Sequence, residues 1–398
     1  MEISVKVGND NGNSEQDIII NQEQICEPNV CSKVRKLPLM DEINPDFVAQ
    51  NIHDNLIVTI DSPSCDPGIY YIGKYALKSG ERIRNIEVGV DNNKLDSDVI
   101  IVNTLAQIAG YAAKMAYEGN ESDVNVKVDM TTALPIGQYS KENSNKFSEK
   151  FTNDKHKITV HIGTKRINVE IEFEFVRVIP EGVTAVHALQ NMDDTFYKEI
   201  SNQLKIDEEN SLEISKDFFK NKKILHVAIG EGTTEYPITE DILFDPNFIK
   251  GSNNGIGHAI DKSLDEFQNE LGLLNYSRQK YSEVLKDKNH KFYTTASDIV
   301  EGYIEEEAQE IIRYAKNEIQ RANNEVDIIC VYGGGSIPMK KQIEKRLKPI
   351  CEKANIQLLY IPKTFAVTLE SKGMYNFTES KIFNMLKQKH LKEKLNKK

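Results

Sequence analysis

The chain has 398 residues, 39% of them hydrophobic and 28% charged, with a formal net charge of −11. That length predicts two or three domains, and the composition is that of an ordinary globular protein rather than a disordered segment. No run of 18 apolar residues reads as a membrane span, no basic-then-apolar leader follows Met1, and the negative balance argues against direct DNA binding by the main body, so a cytoplasmic protein without a membrane partner is expected.

In chain order, Val5 and Val7 alternate as a strand, Gly8-Asn9-Asp10-Asn11-Gly12-Asn13-Ser14 forms a polar glycine turn, and Ile18–Ile20 makes a second strand. Residues 36–68 are irregular, with four prolines, and suggest a small subdomain. A strand over Ile69–Ala76 leads to a loop rich in glycine and charge, and Ser97–Tyr117 carries Ile101, Leu105, Ile108, Ala112 and Met115 at helical spacing, with Ser97 as N-cap. Val124–Leu134 is a strand, and Ile158–Val160 with Ile167–Val178 alternates as a hairpin. The chain then crosses through Pro180–Asn191 into a second half. There a buried strand over Ile224–Ile229 meets Gly230-Glu231-Gly232-Thr233-Thr234, and a Gly/Asn loop over Gly251–Ile260 opens a helix. Ser297 or Asp298 caps a long helix to about Ala322, and a strand over Val326–Tyr332 ends in Gly333-Gly334-Gly335-Ser336 before a helix over Met339–Leu347. Leu358–Ile361 is a short strand, the segment to Tyr375 returns the chain to the first half, and Lys381–Lys398 is a lysine-rich tail. Strands alternating with helices in two halves predict α/β architecture: a first domain over 1–180, a second over 181–361, and a return segment with a basic tail over 362–398 on or near the first.

Three of these junctions share one chemistry. Gly230 and Gly232 bend the backbone and bare its amides, and Thr233 and Thr234 add hydroxyls, as a nest for phosphate oxygens requires. Gly12, Asn13 and Ser14 offer a second such turn, and Asp10 at the strand end is placed to hold magnesium through its waters. Gly333, Gly334, Gly335 and Ser336 let a flat base or a phosphate approach the backbone. Each turn taken alone also reads as an ordinary hairpin or flexible turn. Support from the loop at Asn254–His258 is weak, and His258 reads equally as an ordinary helix residue. The five cysteines are scattered, which fits reduced thiols and gives no convincing zinc spacing.

The order of the three junctions resembles the phosphate-1, phosphate-2 and adenosine motifs of the actin, heat-shock chaperone and sugar-kinase superfamily. Within it, Val178-Ile179-Pro180-Glu181-Gly182 at the first connecting helix, Tyr70-Tyr71-Ile72-Gly73-Lys74 and Ala133-Leu134-Pro135-Ile136-Gly137 are similar to the ParM-like plasmid-segregation actins. The resemblance spans about residues 3–375. It implies an actin-like ATPase fold of two related α/β domains around a nucleotide cleft, with ATP (or GTP) and Mg2+ as cofactors and Glu181 orienting the attacking water. It further implies head-to-tail self-assembly into filaments and a DNA-binding adaptor protein in plasmid segregation. One departure stands out. Ala228 occupies the position where the phosphate-2 motif opens with aspartate, so hydrolysis is expected to be weakened, and either a small-molecule kinase of the same superfamily or a non-hydrolysing nucleotide-binding scaffold is the alternative.

Overall fold

The computed structural model describes residues 1–86, 94–203 and 214–396. They fall into two compact units, the first built from the described residues of 1–188 and 370–396, the second from those of 189–369.

In the first unit, β1 (Glu2–Asn11), β2 (Glu15–Ile20), β3 (Glu23–Pro28), β4 (Val30–Val34), β5 (Ile57–Asp61), β6 (Gly68–Ile72), β7 (Arg84–Asn85), β8 (Asp123–Leu134), β9 (His156–Ile162) and β10 (Lys165–Pro180) form one sheet. Its order is β3-β2-β1-β8-β10-β9-β5-β6-β4-β7. β1, β8 and β10 run parallel through its middle, where strands buried on a face read as alternating Val, Ile and Phe. Val124, Val126, Val128 and Met130 of β8 and Ile167, Val169, Ile171 and Phe173 of β10 face one core with the helix Asp98–Glu118. A bulge between Phe173 and Phe175 then shifts the register. Val176 and Val178 take over that core, and Phe175 turns to the other face.

The helix Asp98–Glu118 is long and apolar enough to cross a membrane by length and composition, but 83% of the qualifying stretch is buried inside the protein. Its buried Asn103 and Thr104 are hydrogen-bonded to Asn29 and Asn9, so it is a core helix that carries polar contacts to the β1–β4 end of the sheet.

In the second unit, β11 (Lys223–Ile229), β12 (Thr234–Glu235), β13 (Ile238–Glu240), β14 (Leu243–Phe244), β15 (Gly251–Ser252), β16 (Ile328–Tyr332) and β17 (Gln357–Tyr360) form the sheet. Its order is β14-β13-β11-β12-β15, with β16 parallel to β11 and β17 parallel to β16. The helices Tyr293–Arg321 and Ser336–Ala354 cover it with Ile311, Ala315, Met339 and Ile343.

Several boundaries differ from the sequence reading. β1 continues to Asn11, so Asp10 lies inside the strand opposite Asp17 and the turn contracts to Gly12–Ser14. The long helix begins at Tyr293, a turn before Ser297 and Asp298, because Phe292 and Ala296 pack into an apolar cluster with Phe267 and Tyr281 and burial outweighs the polar caps. The helix expected from Met339 starts at Ser336. Pro338 sits in its first turn, where a missing N–H breaks no bond. Residues 36–68 hold the helix Pro45–Gln50 and β5, which pairs with β6 and β9.

The chain ends in two helices, Leu369–Glu379 and Lys381–Asn396. The first lies so close to β1 that a Cβ on Gly8 would stand 2.3 Å from the Tyr375 nitrogen, and Thr378 donates to the Val7 carbonyl at 3.0 Å. The second buries Phe383 against Phe175, with ring centroids 5.1 Å apart, and its Lys387 pairs with Asp129 and Glu174 at 2.7 and 2.6 Å.

Candidate functional site

The first unit gathers its polar groups at the C-terminal ends of β1 and β10. β10 ends at Pro180, Gly182 turns the chain at φ +82, and a helix follows over Ala185–Leu189. Glu181 is held in this corner by its amide, which donates to the Leu134 carbonyl at 2.9 Å. Its carboxylate accepts from Lys94 at 2.5 Å, and both side chains are largely buried. Asp10 faces the same two groups. Burial pushes its carboxyl up to about 7. The Lys94 ammonium opposes that rise and the Glu181 carboxylate adds to it. Asp17, across the hairpin, is pushed up to about 8, first by burial and also by the charge of Asp10, while the Cys26 thiol donates to it and pulls the other way.

The turn beside these carboxylates has its Gly12 and Ser14 carbonyls occupied and its amides bare. Asn29, fully buried, donates from its side chain to the Gly12 carbonyl at 2.7 Å and from its backbone to the Ser14 carbonyl at 2.8 Å. Among the described residues, nothing accepts from the amides of Gly12, Asn13 and Ser14. Both polar ends of the buried Asn11 side chain and the Asn13 amide nitrogen also have no protein partner. Buried polar groups are rarely left so, and a cluster of them marks space for a polar ligand or water.

The second unit repeats the arrangement more completely. Gly230 donates to the Thr233 carbonyl at 2.9 Å, which closes a two-residue hairpin loop at Glu231 and Gly232. Ile256 donates to the Gly230 carbonyl at 3.3 Å, Gly257 to the Glu231 carbonyl at 2.8 Å, and the His258 ring contacts the Gly232 carbonyl at 2.9 Å. All four carbonyls from 230 to 233 are thereby engaged. Three successive amides, those of Glu231, Gly232 and Thr233, have no acceptor among the described residues. Such a row of amides has the chemistry that suits an anion. The loop over residues 254–258 is what builds it, and here His258 has a definite place. Thr234 is fully buried and donates its hydroxyl proton to the Asn254 carbonyl at 2.8 Å, so it braces this loop.

Gly333, Gly334 and Gly335 differ among themselves. Gly333 has φ +93, and a Cβ there would stand 2.4 Å from the Ile229 carbonyl oxygen. On Gly335 it would stand 2.5 Å from that of Gly230. Both glycines let the helix start lie on the turn over residues 230–233. Gly334 has open space where its Cβ would be, so this is the face a ligand can approach. Ser336 is buried and donates to the Gly333 carbonyl at 2.7 Å. Ala228 is half-buried at the end of β11, opposite Glu235. That glutamate extends its carboxylate over Gly251, where a Cβ would stand 2.3 Å from it.

Comparison with known proteins agrees with this architecture. Residues 8–183 match the family model of the actin-like proteins N-terminal domain. The whole chain superposes on Alp7A, an actin-like protein, with TM-score 0.66 at 17% identity, covering 100% of this chain and 99% of that one. The chain has the actin-like fold. Bacillus thuringiensis ParM with ATP superposes on this actin-like chain with TM-score 0.58 at 16% identity over 97% of it and 99% of that chain. Ta0583, an archaeal actin homologue, does so with TM-score 0.63 at 17% identity over 94% and 99%. A comparison with curated protein sequences finds no match. The α/β actin-like architecture and the likeness to ParM read from the motifs therefore hold. Sequence reasoning missed Lys94, Asn29 and Arg278. The first and last are single basic residues in charged stretches, and Asn29 carries no motif.

Proposed function

We propose that this actin-like protein binds ATP with magnesium and uses the nucleotide state to control head-to-tail assembly into filaments. The observation that carries the reading is the pair of turns, Gly12–Ser14 and Glu231–Thr233, the first with the Gly12 and Ser14 carbonyls tied back and the second with all of its carbonyls tied back, each with three successive amides bare among the described residues. In the proposal both turns cradle phosphate oxygens, Gly334 meets the nucleoside, and Ser336 and Thr234 support these turns from behind. Asp10 would hold magnesium through water. The donor set suits a hydrated ion bound by one or two carboxylates, since among the described residues no three His, Cys, Asp or Glu side chains converge on a metal site. When bound, the ion supplies charge neutralisation at the phosphates. Glu181 would orient the attacking water once Lys94 releases it, a role that depends on position more than on covalent chemistry.

With alanine at 228, turnover is slow, and a non-hydrolysing nucleotide-binding scaffold is the second reading that this position favours. The solved ParM relatives include forms with ATP, ADP and AMPPNP, which supports an adenine nucleotide. Heterologous subunit contacts extend without closing, so assembly takes the form of filaments. Plasmid segregation through a DNA-binding adaptor, in the cytoplasm and without direct DNA contact by the acidic body, is the cellular role that fits. Pelleting and negative-stain electron microscopy with ATP, ADP and no nucleotide test the reading. Filaments with ATP are expected, and a chain that stays monomeric with every nucleotide rules out the cytoskeletal function.

A further inference from the structure

The phosphate turn carries an anomaly. Its loop holds Glu231, a carboxylate where approaching phosphates would be repelled, in the middle of three amides that would attract them. The structure accounts for this with Arg278, the first residue of the helix Arg278–Lys286. Its Nη1 contacts the Glu231 carboxylate at 2.5 Å, and its Nε contacts Asp261 on the helix Ile256–Leu271. The guanidinium lies beside the first turn of that helix. A Cβ on Gly257 would stand 2.4 Å from Nη2 and 2.8 Å from the Glu231 carbonyl oxygen, so a side chain there crowds both the guanidinium and the turn. Gly257 is also the residue whose amide engages the Glu231 carbonyl. Backbone and side chain of Glu231 are thus held by the starts of two helices, and the carboxylate is 9% exposed.

We propose that Arg278 is a positioning residue for nucleotide binding, which draws the Glu231 carboxylate off the phosphate face of the turn and cancels its charge there. The proposal rests on the nucleotide-binding reading above. It explains why a glutamate is tolerated in a phosphate turn, and it makes the tolerance conditional on one residue far away in sequence. Without the guanidinium, the carboxylate is free to turn back toward the phosphates, and like charges a few ångströms apart in a partly buried site weaken binding by roughly 10- to 100-fold.

The test is isothermal titration of the full chain with ATP, ADP and AMP. Wild type is compared with Arg278→Met, which keeps the apolar stem, and with Arg278→Met combined with Glu231→Gln. The single variant is expected to lose about 10- to 100-fold in ATP affinity and distinctly less in AMP affinity. The double variant, with both charges gone, returns to within a few-fold of wild type. Rescue is the deciding readout, because a purely structural arginine is not replaced by removing its partner's charge. An Arg278→Met variant that binds ATP like wild type overturns the proposal, as does a loss that Glu231→Gln leaves unrepaired. If the single variant is too unstable to purify, a double variant that folds but binds ATP much more weakly than wild type overturns it equally. A wild-type chain that binds neither ATP nor ADP removes the nucleotide reading itself, and the proposal with it.

Discussion

Three residues give the sharpest expectations. Restoring a carboxylate by Ala228→Asp should raise the rate of phosphate release, since groups that position a reacting water or proton are worth about 10²–10⁴ in rate. Glu181→Ala in that background should return it to the starting level with nucleotide affinity nearly unchanged, and a phosphate-release assay on the three proteins reads both effects. Asp17 links the corner of Asp10 and Glu181 to pH. Its carboxyl has an ordinary value of 3.8 and is pushed up to about 8 by burial. Between those values the folded chain keeps a proton that the unfolded chain releases, so stability falls as pH rises through that window. Asp10, raised to about 7, acts in the same direction. Asp17→Asn, which keeps the acceptor for Cys26, should therefore melt higher than wild type at pH 8 without magnesium, with the difference shrinking toward pH 4. A melting difference independent of pH would show that Asp17 is ionised in the fold.

At the scale of elements, the glycine junction and the C-terminal helix are the informative cases. Gly334→Ala should leave folding intact, because its Cβ meets nothing within 4 Å, and should weaken nucleoside binding. Gly335→Ala should instead lower the melting temperature, because its Cβ would press on the Gly230 carbonyl. Thermal melts with and without ATP separate the two. The lysine-rich tail from Lys381 is expected from the sequence on or near the first domain. In the structure it is a packed helix. Phe383 is fully buried, and Lys387 neutralises Asp129 and Glu174. Phe383→Ala should cost about 3–5 kcal/mol by the usual scale for a buried phenylalanine, measured by denaturant unfolding. Deletion from Lys381 should destabilise the first unit rather than merely alter the salt dependence of assembly.

For the whole molecule, a ligand that binds only the folded chain stabilises it by mass action. ATP at about 100 times its dissociation constant should add about 2.7 kcal/mol. A melting temperature unmoved by saturating ATP and magnesium would contradict nucleotide binding by the whole chain. The acidic body, with its net charge of −11, also predicts that assembly, once nucleotide is bound, strengthens as salt screens repulsion between subunits.

Much of this was legible in the chain itself. The strands at 124–134, 167–178 and 224–229 carry their alternation or continuous apolar runs openly, because burial on a sheet face demands it, and glycines at 12, 230 and 333–335 mark the turns, Gly333 with a backbone conformation that few other residues enter. The order of those turns pointed to the actin-like fold. What the sequence did not carry was which groups occupy the carbonyls of the turns. Asn29, the amides of Ile256 and Gly257, and the ring of His258 reach them only after the chain has folded back on itself. Lys94 against Glu181 and Arg278 against Glu231 are likewise pairs separated by 87 and 47 residues, between charges of common type, with no local pattern to announce them. The start of the long helix and the burial of the tail were decided the same way. Apolar packing across distant segments outweighed the local signals of a polar cap at Ser297 and of a lysine-rich end, because a buried aromatic side chain is worth more than either.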